Sequence, residues 1–254
     1  KNIMAAKSLS RERAPLRVQW WLMLVMGATW VAYAFSPADA DKALKANACI
    51  KCDLTRVDFH DKHLAGVNLK WARLNSSNLA DTNLAKANLY GAFANHVTLT
   101  GANLAGADLR GVTMKWGNLR QINLSDSDLT DADLFLCDLS GADLRRVTLI
   151  RANLMRVKLE DANLSQSTLV HTNLMEANLR GANLTGANLT RANLGGANLA
   201  LARFTNSVLT GAILWSVDLS GANLLGANIS GANLSGAILC KTVMPDGVQN
   251  DSGC

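Results

Sequence analysis

An all-β solenoid is the fold class this chain predicts, on three observations. A five-residue phrase, Ala-Asn-Leu-x-x, is said four times without interruption across residues 181–200. Its register continues in both directions, from position 54 to position 239, without one insertion. The apolar spacing inside each unit fits neither a helix, which needs i, i+3, i+4 and i+7, nor a strand of ordinary length. A short fixed period over most of a chain marks a repeat architecture.

Within the unit, the second apolar position, here called i, falls on residue numbers ending in 4 or 9. Leu fills nearly all of them, with Phe59, Met114, Phe204 and Ile229 as conservative swaps. Ala94 is the one defect, and its neighbour Phe93 is expected to fill the gap. Position i−2 is small or β-branched except at Lys62; position i−1 is usually Asn or Asp. In-out-in over three residues is a very short strand, and the Gly, Asn and Asp of the following two-residue corner suit turns. Short strands joined by corners in one sense must coil. Successive coils then pair as parallel strands about 4.8 Å apart, with Leu stacked on Leu and Asn on Asn.

The 254 residues include 19 Gly and only 3 Pro, so the chain is not of the Pro/Gly-rich disordered kind. Its aromatic content of 5% suits a core of Leu and Ala. The formal charge of +5 is not spread evenly. Lys1, Lys7, Arg11, Arg13 and Arg17 stand against Glu12 alone in residues 1–17, while residues 53–240 are nearly neutral. Residues 18–35 carry no charge. As a helix they span about 27 Å, close to a bilayer core. Trp20 and Trp21 lie near one end, and Trp30, Tyr33 and Phe35 towards the other, as an aromatic belt requires. A single transmembrane helix over 18–35 is therefore expected. Residues 1–17 are placed on the cytoplasmic or stromal side and the repeats across the membrane, in periplasm or thylakoid lumen. The rival is a cleaved signal peptide with Ala38-Asp39-Ala40 as its site, against which the apolar run is long for an h-region. Ser36-Pro37 is expected to end the helix, and 36–48 to be a polar linker before the repeats at 49–240.

These units resemble the pentapeptide-repeat family, whose signature is A-(D/N)-L-x-x. The resemblance covers about three quarters of the chain. It implies a right-handed parallel β-helix of square cross-section, with four units to a coil, about 9–10 coils and a rod on the order of 45 Å. Outward residues 20 apart should then stack in columns. Most columns are bland. One carries Phe135, Met155, Met175, Gly195 and Trp215, with Trp116 and Leu136 beside it. Apolar side chains gathered on one edge point to a partner surface. Arg145, Arg146, Arg151, Arg156 and Lys158 lie on different faces of one coil, a belt rather than the single-faced patch that nucleic acid needs.

Cys49-Ile-Lys-Cys52 is a CxxC without the second pair that zinc needs. Cys52 and Cys137 fall at inward i−2 positions. Cys240 and Cys254 flank a tail, 241–254, in which the repeat dies, and a bridge between them would clamp it over the open end. A Cys49–Cys52 bridge could stiffen the other end, and both suit an oxidising compartment. The tail also resembles the ends of exported members of the family, many of them cyanobacterial or plastid-lumenal. His60 and His63, with Asp58 and Asp61, do not converge at this spacing, so no metal is expected; His96 and His171 are lone residues.

No nucleophile–base pair, phosphate loop or pocket-forming insertion interrupts the repeat. The chain is therefore expected to be non-enzymatic, with no cofactor, small-molecule substrate or nucleic-acid partner. The function expected is a membrane-anchored structural subunit that braces or caps a membrane protein complex, photosynthetic or respiratory, through its apolar edge. Alternatives are a free module released by signal cleavage and, less well supported, the DNA-mimicking gyrase binding that the family resemblance suggests, which wants an acidic rod.

Overall fold

A computed structural model describes residues 36–254. The expected membrane helix, its aromatic belt and the basic 1–17 segment lie outside the described residues. Among those described, no helix is long and apolar enough to cross a membrane.

The expected linker contains a helix, α1 (Pro37–Ala46). Ser36-Pro37 begins a helix here. Ser36 is the N-cap, its Oγ accepting from the Asp39 N–H at 3.3 Å. Proline is tolerated in the first helical turn, where N–H groups lack helical partners anyway. The helix ends at Asn47, in the left-handed region at φ 51°. Ala40 and Ala43 are buried, and Asp39 accepts from the Asp53 N–H at 3.2 Å. The Ser36 N–H donates to the Asp53 carbonyl, also at 3.2 Å. Helix α1 is therefore pinned to the first coil as a lid.

Beyond it the repeat forms a β-helix solenoid. The isolated bridges are all parallel and all join residues 20 apart, from Ala48↔Asn68 to Asn223↔Val243. Four units thus make one coil. The inward positions i and i−2 are buried nearly throughout, and their side chains form one continuous core. Lys62 is exposed, as its charge demands. Nearly every corner closes with an N–H to carbonyl bond across four residues, as from Ala182 to Leu179 at 3.0 Å. Its third residue has positive φ whether or not it is Gly: Trp71 at 60°, Trp116 at 57°, Leu136 at 58°. A type II turn requires positive φ there. For an L-residue this costs about 1 kcal/mol, offset by the ladder bond that the same residue donates to the next coil, as Trp116 does to Phe135 at 3.0 Å.

The Asn and Asp at i−1 act at these corners. Asn183 Oδ1 accepts from the Thr185 N–H at 3.2 Å, and Asn198 Oδ1 from Ala200 at 3.0 Å. Their amides also stack from coil to coil, Asn183 Nδ2 donating to Asn163 Oδ1 at 3.2 Å. Most hydroxyls at i−2 bond to main-chain carbonyls, Thr82 Oγ1 donating to Phe59 and Thr172 Oγ1 to Leu149, both at 2.7 Å, whereas the buried Ser207 Oγ has no partner among the described residues.

Phe93 does not fill the space left by Ala94. It occupies i−1, where it bridges Arg73 and Thr113, and strand alternation points it outward. The next residue in the Ala94 column is Met114, also buried, an unbranched side chain suited to irregular gaps.

At the far end, β1 (Thr242–Val243) and β2 (Gln249–Asn250) form an antiparallel hairpin. Cys240 and Cys254 are disulfide-bonded, their Cα atoms 4.6 Å apart. The tail continues the ladder for part of the last coil: Leu224 N–H donates to Val243 at 2.8 Å and Leu239 N–H to Ser252 at 2.9 Å. It does not close the whole end. The N–H groups of Ile229, Gly231, Leu234 and Gly236 donate to nothing among the described residues, and Ile229, Leu234 and Leu239 are only partly buried.

Candidate interaction surface

The six side chains expected to form a partner surface come from one side of the solenoid. Phe135, Met155 and Met175 follow Asp133, Asn153 and Asn173 by two residues. Each donates its N–H to that side chain, at 3.2, 3.3 and 3.2 Å. The same turn thus sets the same exit direction three coils running. These three are half-buried, whereas Trp116, Leu136 and Trp215 are 46, 42 and 42% exposed. Trp116 meets Phe135 edge-on, with centroids 6.2 Å apart. Gly195, the small residue in the column, is a seat: the Trp215 indole lies over it where a Cβ would stand.

Sequence reading missed other members of this side. Phe93 and Ile213 are exposed at i−1, and the signal available was their replacement of the usual Asn or Asp. His96 is not a lone residue, since it stacks on Trp116 at 4.9 Å with the rings 9° from parallel; the two are 20 apart in sequence. A second aromatic group lies near the first coils. Trp71 meets Tyr90 edge-on at 5.1 Å, and Lys70 Nζ and Arg110 lie 4.8 and 5.4 Å from the Tyr90 ring centre.

The arginine belt is largely neutralised by its own coil neighbours. Arg146 grips Asp126 with two bonds of 2.6 and 2.7 Å, and Arg151 grips Asp131 with two of 2.7 Å. Arg145 pairs with Asp143, and Arg156 with Glu176. By their hydrogen bonds, Arg146, Arg151 and Arg145 hold the carboxyls of Asp126, Asp131 and Asp143, respectively, below the usual carboxylate range. A depressed folded-state pKa contributes stability that is present above the unfolded value and lost as pH falls through the folded one. The melting temperature should therefore be flat between about pH 7 and 5 and fall only below about pH 4. At these exposed sites 1 M salt should blunt the fall; differential scanning calorimetry over that range checks both.

Cys49 and Cys52 are disulfide-bonded and buried under α1, with Cα atoms 5.3 Å apart. Cys137 is buried, its thiol donates to the Met114 carbonyl at 2.8 Å, and burial pushes its pKa up to about 12. His60 lies against Ala80 O at 3.0 Å and Asp61 at 2.9 Å, and with Asp81 forms an exposed cluster. His63 and Asp58 stand apart from it, beside Asn83 and Asn78. In a shallow polar hollow of about 340 Å³ between Arg120 and Asp161, Arg120 is engaged by Asp138, and Glu160 by Ser140 and Asn178.

The model of the pentapeptide repeats matches this chain in eight copies that run from residue 52 to residue 240. The chain belongs to the pentapeptide-repeat family. Among solved structures, this pentapeptide-repeat chain is similar to HetL of the cyanobacterium Nostoc sp. strain PCC 7120, a protein involved in heterocyst differentiation regulation. The TM-score is 0.72 and the identity 32%, over 80% of this chain and 92% of that one. It also shares its fold with a trypsin-treated variant of QnrB1, a plasmid-mediated fluoroquinolone resistance protein, with TM-score 0.51 and identity 18% over 72% and 91% of the two chains. No curated protein sequence matches.

Proposed function

We propose that this pentapeptide-repeat protein is a non-enzymatic scaffold. Anchored by residues 18–35, it braces or caps the periplasmic or lumenal side of a membrane protein complex, photosynthetic or respiratory. The observation that carries this is the apolar side of the rod, where Trp116, Phe135, Leu136, Met155, Met175 and Trp215 succeed one another from coil to coil. Exposed apolar surface of this extent is worth roughly 25 cal/mol per Å² when covered, and a rigid ladder presents it with little ordering cost. The right-handed square coil implied by the family makes that side flat.

The placement of Ala38-Asp39-Ala40 inside α1 favours retention of the N-terminal segment over release by cleavage, since Asp39 and Ala40 help hold the lid on the first coil. A duplex-DNA mimic would want a strongly acidic rod, and here the positive and negative charges nearly balance. The test is a fourfold variant, Phe135→Ser, Met155→Ser, Met175→Ser and Trp215→Ser, solubilised in mild detergent. The native protein should migrate with a larger complex on a native gel and the folded variant alone. Association that survives all four changes would remove the apolar side as the interface.

A further inference from the structure

We infer that a groove at the N-terminal end of this same side is the docking site for an acidic peptide segment, one that carries a carboxylate next to an aromatic side chain. The groove holds about 400 Å³ and is lined by Lys51, Trp71, Arg73, Asn75, Phe93 and Asn95. That the partner is a protein is taken from the proposed function; the chemistry of the docking segment comes from the groove.

The groove exists because the repeat departs from its own rule there without losing its fold. In the units around Leu74 and Ala94 the Asn has moved from i−1 to i+1, as Asn75 and Asn95. From the new position it still serves the corners, one coil on. Asn75 Oδ1 accepts from the Asn95 N–H and Asn95 Oδ1 from the Lys115 N–H, both at 2.9 Å. The shift frees two outward i−1 places, which hold Arg73 and Phe93. Phe93 is 46% exposed and Trp71 39%. The Trp71 ring lies over Gly91, where any Cβ would collide with it, and is braced edge-on by Tyr90. The two apolar walls are thus built into the fold before anything binds.

The polar groups left over are all donors. The main-chain bonds identify the oxygen end of each Asn, so Nδ2 is the free end, and neither Nδ2 donates to anything among the described residues. Lys51 and Arg73 form no ion pair among the described residues. The nearby Asp53 feels Arg73 electrostatically, but its carboxylate already accepts from the Thr55 N–H at 3.1 Å. Four donor groups, two of them cationic, between two aromatic walls select an acceptor-rich anion attached to something flat and apolar.

The extent of the positive charge separates a peptide from a nucleic-acid backbone. Lys70 lies over the Tyr90 ring, and farther along Arg110 is occupied by Asp108 at 2.7 Å and Lys115 by Asp133 at 2.8 Å. Positive charge therefore covers only the first coils, enough for one or two carboxylates. A phosphate chain would need a continued row of free cations.

The test titrates the full-length protein in detergent with a fluorescein-labelled peptide, Gly-Ser-Glu-Phe-Glu-Gly-Ser-Gly, by fluorescence polarisation, beside the same peptide with Gln for both Glu. The Glu peptide should bind and the Gln peptide should bind at least tenfold more weakly. Arg73→Asn and Phe93→Asn restore the repeat's own residue at i−1, so the fold should stand, as thermal melting checks. Each should weaken the Glu peptide by about fivefold or more. Equal binding of the two peptides, no binding of either, or indifference to both substitutions would overturn the proposal. So would tighter binding of inorganic polyphosphate or of a single-stranded oligonucleotide. If the peptide fails while the fourfold serine variant still releases the partner, the groove falls and the proposed function stands.

Discussion

Phe204→Ala is expected to destabilise the solenoid by about 4 kcal/mol. Phe204 occupies an i position between Leu184 and Leu224, and all three are buried completely or nearly so. Its backbone is held on both sides, Arg203 N–H donating to Ala182 at 2.9 Å and Phe204 N–H to Asn223 at 2.7 Å. The coils cannot slide together to close the hole, because the ladder spacing is set by those bonds and not by the side chain. Truncation therefore leaves a cavity with little relaxation. Phe204→Leu returns the column to its majority residue and should cost less than about 1.5 kcal/mol. Urea melts of both variants decide the matter. Equal losses, or a loss below about 1 kcal/mol for the alanine variant, would mean that packing at the centre of the coil does not hold the stack. Each coil touches only its neighbours, so hydrogen exchange should rise around residues 184–224 well before it rises in the first coils.

Cys254→Ser is expected to release the C-terminal lid. The bridge closes a loop from Cys240 to Cys254 with a sequence separation of 14, and a loop of this size is worth about 3 kcal/mol. The hairpin inside it has only two strand pairs, Thr242↔Asn250 and Val243↔Gln249, too few to stand without the tether. Amide exchange at Leu239 and Val243, whose N–H groups donate to Ser252 and Ala222, should therefore accelerate by about a hundredfold. Exchange at Asn68 and Asn78, far along the rod, should not change. Reducing agent should reproduce the effect in the native protein. Protection at Leu239 that survives both treatments would show that the hairpin and ladder hold the end without the bridge.

The repeat was legible because one physical rule is applied dozens of times. Inward Leu, inward small residue and outward Asn recur at fixed spacing, so Leu144 or Ala192 could be assigned to the core from their numbers alone. Helix α1 was not legible in the same way. Ser36-Pro37 serves as well to end one helix as to begin another, and only the contacts of Asp39 with the first coil decide between them. Phe93 was misplaced because the Ala94 defect suggested a local repair, whereas alternation along a three-residue strand leaves no freedom to turn inward. The groove was hidden for a related reason. Asn75 and Asn95 look like ordinary Asn in an Asn-rich chain, and their changed role appears only when the N–H they serve is seen to belong to the next coil.

The sequence by itself determined the period, the contents of the core and the columns in which outward residues fall, since these follow from which side chains can be buried and how a short strand alternates. Tertiary structure decided which outward residues are neighbours in fact. It paired Arg146 with Asp126, laid Trp215 on Gly195 and stacked His96 on Trp116, each across a separation of 20. Among the described residues, it also left Lys51 and Arg73 without ion pairs. Such contacts depend on side-chain reach and direction between coils, which no periodicity within a single unit encodes.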